Sequence, residues 1–520
     1  MSLDKKSTVK IAKESRDSKA SIKLSAAEKV VEKSNNNASG FEFSYAPALE
    51  SSAIIKIKPR YDLFIDGKFI SPKSNSFMPS INPANGELLT ELAIADSKDV
   101  DLAVKAARSA YENIWSKTSG AVRGRYLFRI ARILQERARE FAVLESIDNG
   151  KPIRESRDID IPLAAAHFFY YAGWADKIAY AFPGQKFSAL GVAAQVIPWN
   201  FPLLMAAWKI APALATGNTV VLKPAETTSL TALLLAEVIQ EAGIPEGVVN
   251  IITGGAETGA ALVAHADVDK IAFTGSTVVG KFILKSAANS NKRISLELGG
   301  KSAQIVYEDA ALDQAVEGVI NGIYFNQGHV CCAGSRLLLQ ESIRDVFMRK
   351  LKKRMQSLRV GDPLDKNTDV GAINSLSELL KIQEFVAQGK QEQGEYFEAS
   401  AETLPKKGYY HRPCFIADVA PSSALYRQEI FGPVLTISTF RTPAEAIEKA
   451  NDTVYGLAAG IWTEKSAKIA ETARKLKAGV IWANTYNRFD PASPFGGYRE
   501  SGFGREGGKQ GLLPYLEVRS

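Results

Sequence analysis

The chain has 520 residues, more than one hydrophobic core usually supports, so at least two domains are expected. Its hydrophobic content of 46% and charged content of 23% are those of a folded globular protein, and a net charge of +7 spread along the chain, with no dense basic block, excludes a nucleic-acid binder. With three cysteines, and four scattered histidines that form no CxxC or HxxxH spacing, neither a disulfide framework nor a metal centre fits, and a reducing compartment is expected.

The first 40 residues are rich in Lys and Ser and end in SNNNASG, the composition of a solvated tail. Within them, Ser21 to Lys33 places Ile22, Ala26, Val30 and Val31 at the spacing of a weakly amphipathic helix. An import presequence is rich in Arg and poor in acids, whereas this segment has Arg16 alone against Asp4, Glu14, Asp17, Glu28 and Glu32, so a cytoplasmic protein is expected. A flexible extension is expected over residues 1–57.

From Asp62, LFIDGKFI predicts a hairpin. ARSAYENIW and RGRYLFRIARILQERAREFAVL predict helices, the second with apolar residues three and four apart. The pattern then alternates: strand AAQVIPW, helix PLLMAAWKIAPALATGN, strand TVVLKP, helix SLTALLLAEVIQEAG, strand VVNIITG, helix ETGAALVAHA, strand KIAFTG and helix STVVGKFILKSAAN. Such alternation means parallel strands joined by crossovers. The long apolar stretch from Val192 to Leu222 is cut by Pro198, Asn200, Pro202, Pro212 and Asn218, so it reads as buried strand, helix and strand, with no membrane span. A second alternating region starts near Leu298, with strands SAQIVY, SRLLLQ, FGPVLTISTF and AAGIWT around helices LDQAVEGVINGIYFNQG and IRDVFMRKLKKRMQSL. The expected architecture is α/β, with two doubly wound domains and a cleft between them for cofactor and substrate.

Between a helix end and a strand of the second region lies FNQGHVCCAGSR, with Cys331 and Cys332 adjacent. The commonest fate of a cysteine is burial as a small apolar residue. The stretches IPWNFP, LKPAE, FTGSTVVG and LELGGK precede this loop, and EIFGPV, NTYN and SPFGGYRESGFGRE follow it. In this order, from about Tyr61 to the end, they resemble the NAD(P)-dependent aldehyde dehydrogenase superfamily.

The resemblance implies that Cys331 is the nucleophile and that Cys332 packs beside it. It implies that Glu297 is the general base that activates water, and that Asn200 stabilises the oxyanion. Relatives that transfer the acyl group to coenzyme A generally lack this glutamate, so hydrolysis to a free acid is expected. For the cofactor it implies Lys223 and Glu226 at the adenosine ribose, where a carboxylate favours NAD over NADP. Gly275, Ser276 and Gly280 are implied at the pyrophosphate, and Trp199, Glu429 and Phe431 around the nicotinamide riboside. Phe201, Met205, Trp208, Phe489 and Phe495 match positions lining the family's aldehyde tunnel, which implies an apolar or medium-sized aldehyde. The implied domains are a Rossmann-like NAD-binding domain (58–171 and 190–298), a catalytic domain (299–507) and a small β bridging element for oligomerisation (172–189 and 508–520).

The sequence departs from the family in places. His329 stands where Gln or Glu is usual, which raises the question of a second base. The stretch GWADKIAYAFPGQKFSALGVAAQ is shorter than the subunit-joining hairpin of many relatives, so a homodimer is expected ahead of a tetramer. With the N-terminal extension, these features resemble the family 16 branch. Two other functions fit parts of the pattern: a cofactor-free thiol hydrolase using Cys331 with His329, and a silent scaffold, which would have lost Asn200, Glu297 or Cys331.

Overall fold

The alternation read between Val192 and Leu298 folds as a parallel sheet wound with helices. Strands Val192–Val196, Thr219–Lys223, Val249–Ile251, Lys270–Thr274 and Arg293–Glu297 run parallel and are largely buried, because each intervening helix crosses a face and returns the chain to the same end. The hairpin Leu63–Ile65 and Lys68–Ile70 extends one edge of this eight-stranded sheet, and Gly502–Phe503 closes the other, antiparallel to Leu296 and Glu297. Strand order reverses at Val192–Val196, whose neighbours are Thr219–Lys223 on one side and Lys270–Thr274 on the other. A crevice opens beyond the carboxyl ends at such a switch point.

Among the described residues the second sheet has seven strands in the order Glu395–Glu398, Cys414–Ala417, Val434–Phe440, Arg336–Gln340, Ala303–Val306, Ala458–Trp462 and Val480–Ala483, parallel except for the first. This computed structural model describes residues 46–392, 394–399 and 404–519. The tail and the Ser21–Lys33 helix expected from the sequence lie outside the described residues. Among the described residues no helix is long and apolar enough to cross a membrane.

Some expectations change. The run from Arg123 to Leu144, read as one helix, is two, Gly120–Glu136 and Ala138–Asn149. Arg137 breaks it at φ −96° and ψ 14°, its guanidinium held by Glu140 at 2.8 and 3.1 Å and by Glu237 at 3.2 Å. Strands Arg293–Glu297, Cys414–Ala417 and Val480–Ala483 carry no long β-branched run and were not legible from composition. Lys186–Ala189 pairs with Leu516–Arg519 in a separate antiparallel ribbon.

The flexibility expected through residue 57 does not hold from Ala48 onward. Ala48 and Glu50 exchange backbone hydrogen bonds with Leu364 and Lys366, and the Glu50 carboxylate is paired with Arg139 and Lys366. The Arg139 hydrogen bond, more than any other contact, holds the Glu50 carboxyl down at about 2, from 4.5. A carboxyl with a depressed pKa contributes stability above its unfolded value and loses it as pH falls. Glu50→Gln should therefore speed amide exchange at Glu50 and Lys366 at neutral pH. The gap from the parent protein should close as pH drops from 4.5 towards about 2.

Candidate active site

The carboxyl edge of the first sheet faces the amino edge of the second. Residues Pro198–Asn200 follow Val196, Gly275 and Ser276 follow Thr274, and Glu297 ends its strand. From the second sheet, Gly299 precedes Ala303, Cys331 precedes Arg336, and Glu429 and Phe431 precede Val434. These residues line one cleft, together with Phe201, Met205, Trp208, Phe489 and Phe495.

The cysteine loop is held from both sides. Helix Leu312–Tyr324 ends in a turn whose residues Asn326, Gln327 and Gly328 all have positive φ, at 48°, 53° and 77°. Gly328 is required there twice over, since a Cβ would also stand 2.2 Å from the Gly432 carbonyl oxygen. Asn326 donates its side-chain amide to the Asn200 carbonyl at 2.8 Å and its backbone N–H to Glu155 at 3.0 Å. Beyond the turn, Cys331 is half-buried at the cleft while Cys332 is 1% exposed, its carbonyl accepting from Tyr486 at 2.8 Å. Gly300 lies beneath the loop, where a Cβ would meet the Cys331 carbonyl oxygen at 2.4 Å. The neighbouring Cys332 thiol and burial push the Cys331 thiol well above its ordinary pKa, so it rests protonated.

Asn200 is buried, and its Nδ2 donates to the His329 carbonyl at 2.7 Å. That bond fixes the amide orientation and uses one of two N–H groups, leaving the other for a ligand. Glu297 is buried, and neither carboxylate oxygen has a protein partner among the described residues. Burial first, then the nearby Glu506, raises its pKa well above the ordinary carboxyl value. Glu506 is itself paired with Lys209, whose Nζ also donates to Thr274 Oγ1 at 2.7 Å.

Elsewhere along the cleft, Ser276 caps helix Thr277–Ala287, its Oγ accepting from Val279 at 3.3 Å, at the helix end where first-turn N–H groups lack intrahelical acceptors. Glu429 accepts from the Gly300 N–H at 3.0 Å, and burial raises its pKa to about 7. Phe431, at φ 59°, stands edge-on to Trp199 with ring centroids 5.2 Å apart. Lys223, Glu226 and Gly280 do not line this cleft. Lys223 is buried at the end of the next strand, its Nζ 3.4 Å from the exposed Glu226, and Gly280 packs against Leu298.

His329 is fully buried outside the cleft lining, its ring 4.7 Å from Trp199 and 5.9 Å from Phe431 between centroids. Burial pulls its pKa down to about 3, so it is neutral at physiological pH and does not face Cys331's cleft as a base. The sequence reading missed Glu378 and Lys381, an i,i+3 pair 3.7 Å apart on helix Leu376–Gln391 that lines the cleft. No motif marks them. It also missed Glu506, although that carboxylate lies inside SPFGGYRESGFGRE and was open to notice.

The channel wall has a helical origin. Phe201, Met205 and Trp208 are spaced four and three residues apart at and along helix Pro202–Thr216, so they share one face. Phe495 lies 5.2 Å and Phe489 6.4 Å from Trp208 between ring centroids. The cleft thus combines a thiol, an amide donor, a carboxyl without a partner and an apolar channel.

The sequence profile of the Aldehyde dehydrogenase family matches residues 69–520. An aldehyde dehydrogenase of Alternaria alternata is 45% identical over 468 residues, covering 88% of this chain and 94% of its own. The mitochondrial benzaldehyde dehydrogenase of Antirrhinum majus is 43% identical over 487 residues, covering 91% of each chain. The NAD+ complex structure of aldehyde dehydrogenase from Bacillus cereus superposes with a TM-score of 0.87 at 40% identity, covering 91% of this chain and 99% of that one.

Proposed function

Because the chain belongs to the aldehyde dehydrogenase family, we propose that it oxidises an apolar or medium-sized aldehyde to its carboxylic acid with NAD, through a thioester on Cys331 that water activated by Glu297 hydrolyses. The observation that carries this reading is the half-buried Cys331 thiol in one cleft with the Asn200 amide and the Glu297 carboxyl.

The residues fit a dinucleotide. The helix N-terminus at Gly275 and Ser276 suits a pyrophosphate, and the free hydroxyls of two riboses suit Glu226 with Lys223 at one end and Glu429 at the other. Glu378 lines the same cleft, and its buried Oε2, 3.7 Å from Lys381 Nζ, accepts no hydrogen bond among the described residues, which leaves a further acceptor for a hydroxyl. Trp199 and Phe431 flank the nicotinamide position. When bound, NAD accepts a hydride from the substrate carbon.

The protein's own part begins at Cys331. Its thiol loses a proton, to Glu297 or to water, and the thiolate sulfur adds to the aldehyde carbon. The carbonyl oxygen becomes negative, and the free N–H of Asn200 stabilises it. After the hydride departs, the carbon–oxygen double bond reforms as a Cys331 thioester. Any proton that Glu297 took from the thiol passes to solvent; its carboxylate then takes a proton from water, the hydroxide adds to the thioester carbon, and the Cys331 thiolate leaves as the acid forms. We place contact with a second copy at the Lys186–Ala189 and Leu516–Arg519 ribbon, since two strands alone leave outer edges open to pairing.

The test is NAD and NADP reduction by purified protein against straight-chain, branched and aromatic aldehydes. Reduction by none of them, while nucleotide still binds, would overturn the reading. Glu226 would repel a 2′-phosphate, so Glu226→Ala should raise kcat/KM for NADP relative to NAD by about tenfold, a difference of about 1.4 kcal/mol. No change in that ratio would remove Glu226 from the ribose site.

A further inference from the structure

Trp208 forms part of the channel wall, but what holds it lies outside the channel. An indole N–H only donates, and a buried one needs an acceptor. Trp208 Nε1 donates to Nε2 of His167, on helix Ile161–Trp174 behind the wall. His167 is 1% exposed and does not line the cleft. Burial keeps the imidazole neutral, with its pKa down at about 3, so Nε2 remains an acceptor and the proton sits on Nδ1.

Ring contacts complete the clamp. The imidazole meets the indole edge-on, at 5.3 Å and 65°. On its other side it stacks on Tyr171 at 6.4 Å and 24°. The Tyr171 hydroxyl donates to the Gly508 carbonyl at 3.0 Å, in the segment that follows Phe495 and Glu506. The indole is thus fixed at its N–H by His167 and packed by Phe495 on the channel side. A ring fixed in this way bounds a slot of constant width, whereas a free indole can turn about its side-chain torsions.

We propose that His167 is a positioning residue that sets aldehyde specificity: by holding the Trp208 indole plane it keeps the channel a rigid slot suited to flat aromatic aldehydes over flexible straight-chain ones. The inference rests on the aldehyde-oxidising reading above. His167 touches neither substrate nor reacting atoms, so its effect falls on which aldehyde binds and leaves the chemical step alone.

The experiment compares the parent with His167→Leu, which removes the acceptor, and His167→Gln, whose amide oxygen can replace it. Steady-state kinetics are run with benzaldehyde and hexanal. The expected result is that His167→Leu lowers the benzaldehyde-to-hexanal ratio of kcat/KM by about tenfold, through KM, and that His167→Gln restores most of it. In parallel, the indole N–H proton resonance of Trp208, assigned with Trp208→Phe, should move in His167→Leu. An unchanged ratio, an equal fall in kcat for both aldehydes, or no rescue by glutamine would overturn the proposal. An unmoved resonance would do the same. Should His167→Leu not fold, His167→Asn, too short to reach the indole, takes its place. If the parent oxidises neither aldehyde, the functional reading fails on its own. Tryptophan quenching by the two aldehydes in Cys331→Ala, with and without His167, then decides the specificity proposal.

Discussion

Cys331→Ala is expected to abolish aldehyde-dependent NAD reduction, with kcat falling about 10⁴- to 10⁶-fold, while Cys332→Ala keeps most of the activity. The two thiols are adjacent in sequence and both line the cleft, but they differ in exposure. Cys331 is half-buried at the cleft, whereas Cys332 is buried with its sulfur 3.8 Å from Asn487. On the proposed mechanism, loss of Cys331 removes the atom that forms the covalent bond; Cys332 lines the same cleft but is 1% exposed, and Cys414 is buried within a strand of the second sheet. Nucleotide binding should survive, because Gly275, Ser276 and Glu429 are untouched. The check is turnover with both variants beside equilibrium NAD binding. Activity lost with Cys332 and kept without Cys331 would reverse the assignment.

Glu297→Gln should lower steady-state turnover about 10²- to 10⁴-fold and leave a first-turnover burst of reduced cofactor. Glutamine keeps the shape of the side chain but cannot take a proton from water, so the thioester forms and persists. The pH dependence follows from the same group. Burial and Glu506 raise the Glu297 pKa, so the carboxylate that acts as base appears only as pH rises above the ordinary carboxyl range. Turnover in the parent should therefore climb with pH through that raised value, and Glu297→Gln should lose this limb. Rapid-mixing measurements of burst and steady state across pH test both points. A burst slowed as much as the steady state would move Glu297 from thioester hydrolysis to activation of Cys331.

Much of this site could be read along the chain. The strands between Val192 and Thr274 were legible because they are apolar and separated by helices of crossover length. Asn200, Glu297 and Cys331 were legible because each lies in a contiguous motif. Arg293–Glu297 was not legible as a strand, since it starts exposed and has its antiparallel edge partner at Gly502–Phe503, far along the chain. Lys209 with Glu506 and Trp208 with His167 carry no signal of a shared site, because each pair is defined only by where distant segments pack; Glu378 and Lys381 pair locally at i,i+3, but nothing in that spacing shows that the helix lines the cleft.

The sequence by itself determined the architecture and the chemical inventory: alternating buried strands and helices, a glycine-rich thiol loop, and acids and an amide at strand ends. Crossover connections bring successive parallel strands back to one edge, so residues that end those strands must meet there. Only the tertiary structure decided which side chains face the cleft. The left-handed turn at Asn326–Gly328 orients Cys331, packing removes His329 from solvent and from use as a base, and a buried hydrogen bond to His167 fixes Trp208. These outcomes depend on side-chain direction and on desolvation by distant segments, and neither is encoded in local pattern or spacing.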